Sequence, residues 1–159
     1  MKQFLEILKN NKKILLLSTL LLAFLLSFID FLVCFRGSKY TFRYHEAGSS
    51  RILYESRVVP SVKNVPKTTL YVEELLLGPS VRRGVPLFPL GTQVLFCFIR
   101  DEELFLNLSE QAVMNFSPET DLEESYRMLV RNVCDNFSGI KKVNLFIDEN
   151  SVFSDVKLH

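Results

Sequence analysis

Twenty-two consecutive residues, Ile14 to Phe35 (ILLLSTLLLAFLLSFIDFLVCF), contain a single ionisable side chain, Asp30. A helix of that length covers a hydrocarbon layer of roughly 30 Å. The run is also too long and too uniformly apolar for the core helix of a small domain, which would keep a polar face. Ahead of it stand Lys2, Lys9, Lys12 and Lys13 against the one acid Glu6. That bias holds the N-terminus in the cytoplasm and sends the remainder across the membrane. Asp30 lies towards the far end, where a carboxylate reaches the headgroup layer. Arg36 and Lys39 follow the span and weaken the asymmetry.

A short basic stretch before an apolar one also begins many exported chains. No small-x-small cleavage site follows. Phe31-Leu32-Val33-Cys34 approaches a lipoprotein signal, but Val33 is bulky where the peptidase and acyl chain need a small residue. The sequence therefore predicts a cytoplasmic basic leader (1–13), an uncleaved signal anchor (14–35), a tether (36–39) and an extracytoplasmic domain (40–159). Lipidation at Cys34 and ordinary cleavage are the alternatives, and both leave the domain outside the cytoplasm. The expected location is the inner membrane, crossed once.

Beyond residue 39 the chain has 13 basic and 16 acidic residues. This mild acidity offers no attraction to nucleic acid or anionic lipid. About 120 residues suffice for one core. Cys97 and Cys134 lie in apolar runs and read as buried thiols, with a bridge between them left open to geometry.

Strands are predicted at 40–45 and 51–59, separated by the turn residues Gly48-Ser49-Ser50. A helix is predicted over 67–77, entered at Pro66 and stopped by Gly78-Pro79. Strands 92–100 and 103–108 flank a tight turn at Asp101-Glu102. Ser117-Pro118 opens a second helix, with Glu119, Asp121, Glu123 and Glu124 at its positive end. Leu122, Tyr126, Leu129, Val133 and Phe137 form its apolar stripe, and Gly139 ends it. A last strand covers 142–148. The predicted fold is α/β (α+β), in the order ββαββαβ, with a small mixed sheet carrying two helices on one face.

Four segments, taken in order, resemble the GerMN domain, an extracytoplasmic module named for a spore germination protein. They are Leu75-Leu76-Leu77-Gly78-Pro79, Pro89-Leu90-Gly91-Thr92, Leu106-Asn107-Leu108-Ser109, and Phe137-Ser138-Gly139-Ile140 leading into 143–148. Gly78, Pro79, Pro89, Gly91, Thr92, Ser109 and Gly139 are the fold-forming positions of this pattern. Two positions depart from it: Asn107 where an acid is common, and Glu149 where Gly is usual. The resemblance implies a compact α/β fold similar to the ring-building modules of secretion assemblies. It also implies a membrane- or lipid-anchored setting, protein–protein contacts in the envelope, and no enzymatic activity.

Chemistry is sparse. His45 and His159 are the two histidines, which leaves no acid–base or nucleophile set and no metal-ligand spacing. Glu119, Asp121, Glu123 and Glu124 read as helix-start charge. No Gly-rich phosphate loop is present, and three Asn-x-Ser sequons are set aside. No cofactor is expected.

Surface shape is more informative. Strict alternation along 92–100 puts Val94, Phe96 and Phe98 on one face and Leu95, Cys97 and Ile99 on the other. If both helices cover the Val94/Leu106/Leu145 side, then Leu95, Cys97, Ile99, Phe105 and Phe146 share an apolar face that soluble monomers seldom leave bare. Either this face docks an envelope protein or a second copy, or residues 40–59 or the C-terminal tail fold over it. The expected function is membrane-anchored scaffolding through protein contacts. The alternative is an extracytoplasmic module for a small ligand or cell-wall fragment, held in the loops 86–91 and 109–117.

Overall fold

The computed structural model describes residues 12–34, 37–114 and 121–153. The chain divides into two units, Met1–Arg36 and Gly37–His159. The first holds helix α1 (Lys12–Cys34). Within it Ile14–Phe31 has a mean hydropathy of 2.4 and no buried residue, so the helix is long and apolar enough to cross a membrane.

The second unit contains β1 (Gly37–Glu46), β2 (Ile52–Pro60), α2 (Lys67–Leu76), β3 (Gly84–Val85), β4 (Val94–Arg100) and β5 (Glu103–Leu108). A short 3-10 turn, Glu110–Ala112, is followed by α3 (Leu122–Asn136), β6 (Lys142–Ile147) and β7 (Asn150–Phe153). The α+β class and the order of the main elements stand as expected. β1 takes in Gly37, Ser38 and Lys39, which the sequence reading assigns to the tether. Ser117, Pro118 and Glu119 lie outside the described residues. The N-cap of α3 is Asp121, whose carboxylate accepts from the Glu123 N–H.

The strands form two sheets rather than one. β2, β1 and β3 make the first, in the order β2-β1-β3. The second has the order β4-β5-β6-β7. In the second sheet β5 and β6 run parallel, and the β4–β5 and β6–β7 pairs are antiparallel. α2 touches β2 and β4, and α3 touches β1 and β6. The helices are thus a middle layer between the two sheets. Their apolar stripes meet Phe42 and Tyr44 from one sheet and Leu104, Leu106, Val143 and Leu145 from the other, all fully buried.

One joint between the layers is polar. β1 pairs with β2 along its length, but with β3 only at His45 and Glu46. On the open side of β1, Asn132 of α3 accepts from the Arg43 N–H at 2.8 Å and donates to the Arg43 carbonyl at 2.9 Å. One helical turn on, Asn136 accepts from the Thr41 N–H at 3.1 Å and donates to the Thr41 carbonyl at 2.8 Å. Four residues of helix rise about 6 Å, and two residues of strand span roughly 6.6 Å. Two amides on one helix face therefore match two successive outward-facing residues of a strand. Tyr71 of α2 completes the joint: its hydroxyl donates towards Asn132 Oδ1 at 3.1 Å and accepts from Asn136 Nδ2 at 3.0 Å.

The second missed feature is β7. Asp148 and Glu149 both have positive φ, 48° and 66°, and turn the chain back along β6. Asp101 and Glu102 make the same kind of turn, with φ of 50° and 63°. Glu149 occupies the position where the resemblance leads one to expect Gly. Its N–H donates to Asn107 Oδ1 at 3.3 Å, which ties the two departures from the pattern together.

Two stability measurements test these features, using urea unfolding of the full chain in detergent. Asn132→Ala strands the backbone groups of Arg43 and should cost roughly 2–4 kcal/mol, whereas Asn136→Ala, nearer the surface, should cost about 1 kcal/mol. Glu149→Gly relieves a left-handed non-glycine residue and should stabilise by about 0.5–1 kcal/mol.

Candidate functional site

The outer face of the second sheet is set by an irregularity at the start of β4. Val94 pairs with Leu108, but Phe96 pairs with Asn107, so Leu95 is an extra residue between them. Such a bulge reverses which side the following residues occupy. From Phe96 onward the alternation is therefore opposite to the one the sequence pattern predicts. Cys97 pairs with Leu106 and Ile99 with Leu104, both partners being core residues. Cys97 turns towards α2, where the hydroxyls of Thr68 and Thr69 lie against its thiol. Phe96 and Phe98 turn outward instead.

Of the five residues expected to share a face, the structure brings Phe105 and Phe146 together. It moves Cys97 and Ile99 to the helix side and leaves Leu95 at the bulge. The outward face consists of two rows across three strands: Phe98, Phe105 and Asn144, then Phe96, Asn107 and Phe146. The rings of Phe98 and Phe105 stack at 5.1 Å between centroids. Phe96 lies 5.7 Å from Phe98 and 6.0 Å from Phe146. Asn107, between Phe96 and Phe146, is buried, and Asn144 donates to Glu103 at 2.7 Å. Phe96 and Phe98 remain exposed, as do Leu95 and Ile99 on the same strand. Residues 40–59 do not cover this face; they form β1 and β2 on the far side of the helices. The tail beyond Phe153 lies outside the described residues.

Cys97 and Cys134 are both free thiols. Burial pushes both thiols up, against the bonds that Cys97 receives from the threonine hydroxyls. Cys34 ends α1, and its side chain lies outside the described residues.

His45 borders a cleft of about 340 Å³ with Asp121, Glu123, Glu124, Arg127 and Arg131 around it. Its Nε2 is 3.4 Å from a Glu124 carboxylate oxygen. Among the described residues no three histidine, cysteine or acidic side chains converge in a way that could hold a metal ion.

The helix stop at Gly78 is clamped by Arg57, a residue that the sequence gives no reason to single out. From β2 its guanidinium donates to both oxygens of Glu55, at 2.9 and 3.0 Å. It also donates to Glu74 Oε1 at 3.1 Å and to the Gly78 carbonyl at 2.7 Å. Its plane lies over Phe42 and Tyr44, with centroids at 5.2 and 5.8 Å. Glu55 in turn accepts from the Ser80 N–H and hydroxyl. The Arg57 hydrogen bonds, helped by Ser80, hold the Glu55 carboxyl down to about 2 against the opposing effect of burial. Burial pushes the Tyr44 and Tyr71 hydroxyls far up, so both stay protonated donors.

The first GerMN domain of the sporulation protein GerM from Bacillus subtilis superposes with a TM-score of 0.58 at 16% identity, over 72% of this chain and 86% of that one. The tandem GerMN domains of the same protein give 0.59 at 17% identity, over 73% of this chain and 41% of the longer one. The domain has the GerMN fold. No protein-family model matches the sequence, and no curated protein matches it as a relative.

Within this GerMN fold most of the recognised positions shape turns and strand ends. Gly78, at φ 81°, turns the chain out of α2 with its missing Cβ 3.4 Å from Pro86. Gly91, at φ 93°, sits in a turn where Thr92 returns both its N–H and its hydroxyl to the Pro89 carbonyl, at 3.2 and 2.7 Å. The Ser109 hydroxyl accepts from the Gln93 N–H at 2.9 Å and closes the start of β4 on the end of β5. Gly139 is different. α3 ends at Asn136, Gly139 has no positive φ, and a Cβ there would meet nothing within 4 Å.

The clamp makes stability depend on pH. A carboxyl held below its unfolded value contributes fully above that value and loses its contribution as pH falls through the folded one. The thermal midpoint of the full chain in detergent should therefore drop between pH about 4.5 and about 2. The gap between it and a Glu55→Gln variant should close over the same window.

Proposed function

We propose that this is a single-pass inner-membrane protein whose GerMN domain works outside the cytoplasm as a non-enzymatic interaction module. The observation that carries the reading is the aromatic outer face of the second sheet, with Phe96 and Phe98 exposed on a strand that is also a sheet edge. Exposed, contiguous aromatic surface is costly in water and is the material from which protein interfaces are made. The basic leader and the apolar helix supply the anchor and its orientation. Anchoring confines the domain to a thin layer and raises its effective concentration for membrane neighbours. The shared fold with a domain of the sporulation protein GerM makes sporulation and germination the first processes to examine.

A second reading has one observation in its favour. An open groove lies between the end of α2 and the start of β4, with Leu76, Leu77, Leu90 and Val94 along it and the polar side chains of Glu73 and Gln93 at its edge. It adjoins the loop 86–91 and suits the apolar part of a small ligand or cell-wall fragment. Saturable thermal stabilisation by such fragments would favour it.

Photo-crosslinking in living cells tests the first reading. A crosslinking amino acid in place of Phe105 or Phe146 should yield a discrete membrane-protein adduct. The same probe at Val62, exposed on the loop before α2, should not. Protease added to spheroplasts should degrade the domain; a protected C-terminal part would place it in the cytoplasm and end the proposal.

A further inference from the structure

We propose that the end of the domain where the chain enters it is a surface for anionic phospholipid, with Lys39, Lys63 and Lys67 against the headgroup phosphates and Val62 dipping between them. The inference rests on the reading of α1 as an anchor and adds what the base of the domain touches. The mild acidity of the domain is unevenly spread. No acid occurs in residues 31–45 or in residues 56–72, and these two stretches carry Arg36, Lys39, Arg43, Arg57, Lys63 and Lys67. The fold brings them together: Gly37 pairs with Pro60 and Lys39 with Val58, and Lys67 borders the same shallow notch as Ser38, Pro60 and Ser61. Arg43 is taken by Asp135, and Arg57 by Glu55 and Glu74. Lys39, Lys63 and Lys67 are exposed, and among the described residues no acid pairs with them.

Acids lie elsewhere. Glu46, Asp121 and Glu124 border one cleft at the opposite end of the β1–β2 hairpin. On the β4–β5 turn Asp101, Glu102 and Glu103 each have a cation of their own, in Arg100, Lys141 and Lys142. The loop between β2 and α2 is also shaped to present its tip. The Val65 N–H donates to the Val62 carbonyl at 3.3 Å, and Asn64 takes a positive φ of 64°. The chain turns tightly there and leaves Val62 50% exposed beside Lys63; Val58, paired with Lys39, is 51% exposed. Small apolar groups among uncompensated lysines suit the boundary between headgroups and acyl chains. Connectivity selects the occupant. Gly37 follows Cys34, the last residue of α1, by three positions, at most about 11 Å of extended chain. With α1 in a membrane, this basic end is the one that meets the bilayer surface. A soluble polyanion would need no such placement.

The chain contains no tryptophan, so Val62→Trp supplies a single fluorescent reporter at the tip. Leu90→Trp, in the loop beyond the far end of α2, supplies a control at an exposed position. Full-length chains are placed in vesicles with brominated acyl chains, made of phosphatidylcholine alone or with about 30% phosphatidylglycerol. The Val62→Trp reporter should be quenched about twofold more in the anionic vesicles, with emission at shorter wavelength, and salt should reverse both changes. The Leu90→Trp reporter should be the same in both. Each lysine near an anionic surface contributes about fivefold to partitioning, so Lys39→Gln, Lys63→Gln and Lys67→Gln combined should lose about 100-fold and abolish the difference. Equal quenching in the two kinds of vesicle, quenching in neither, or a difference that survives the three substitutions would each overturn the proposal. So would the same change on adding glycerol phosphate to neutral vesicles, which would mark an anion site rather than a lipid surface. Flotation with neutral vesicles checks the anchor separately. A chain that floats but keeps its reporter in water leaves the anchor standing and removes the lipid surface; a chain that does not float removes both.

Discussion

The side chains of Asn132 and Asn136 stand in for a missing strand. β1 has a full partner on one side and only two paired residues on the other, so where α3 packs against the open side its backbone groups need other partners. The two asparagines supply donor and acceptor together at Arg43 and Thr41, with a spacing that helix and strand happen to share. Because they project from α3, the first sheet is fixed to the helix layer in direction and register as well as by apolar contact. Tyr71 brings α2 into the same joint. The layered arrangement rests on this connection, since apolar stripes alone would allow the helices to slide or rotate against the sheets.

The second sheet is governed by one extra residue. The bulge at Leu95 lets β4 begin with Val94 against the core and continue with Phe96 and Phe98 facing away from it. The consequence is a sheet whose helix side is aliphatic and whose outer side is aromatic, bounded by an edge strand that is apolar on both faces. Two buried asparagines within the aromatic rows keep their polar groups satisfied, by the Glu149 backbone in one case and by Glu103 in the other. The outer face is therefore structurally complete and still exposes ring surface.

Some of the candidate site is legible in the residue pattern. The alternation of β5 and β6 puts Phe105 and Phe146 on the outer face correctly, because those strands are regular and pair in simple register. The pattern misplaces the residues of β4 because a bulge leaves almost no trace in it: Val-Leu-Phe-Cys-Phe-Ile is apolar in either phase. Arg57 escapes notice for a related reason. In the strand it looks like a solvated charge beside Glu55, two residues away on the same face, and its other partners, Glu74 and Gly78, reach it only when β2 packs beside the end of α2. Gly139 shows the converse, a glycine in a recognisable motif at a place where the backbone has no need of one.

The chain order by itself determined the long apolar helix, the start of α2 after Pro66 and its stop at Gly78-Pro79, the acidic opening of α3 and the tight turn at Asp101-Glu102. All of these follow from local propensity and periodicity, which act within a few residues. Tertiary structure decided that the strands form two sheets around the helices, that asparagines complete β1, that Cys97 turns inward, and that the phenylalanines of β4 turn out. Each of those outcomes depends on which distant backbone lies alongside, and a pattern read along one chain carries no measure of that.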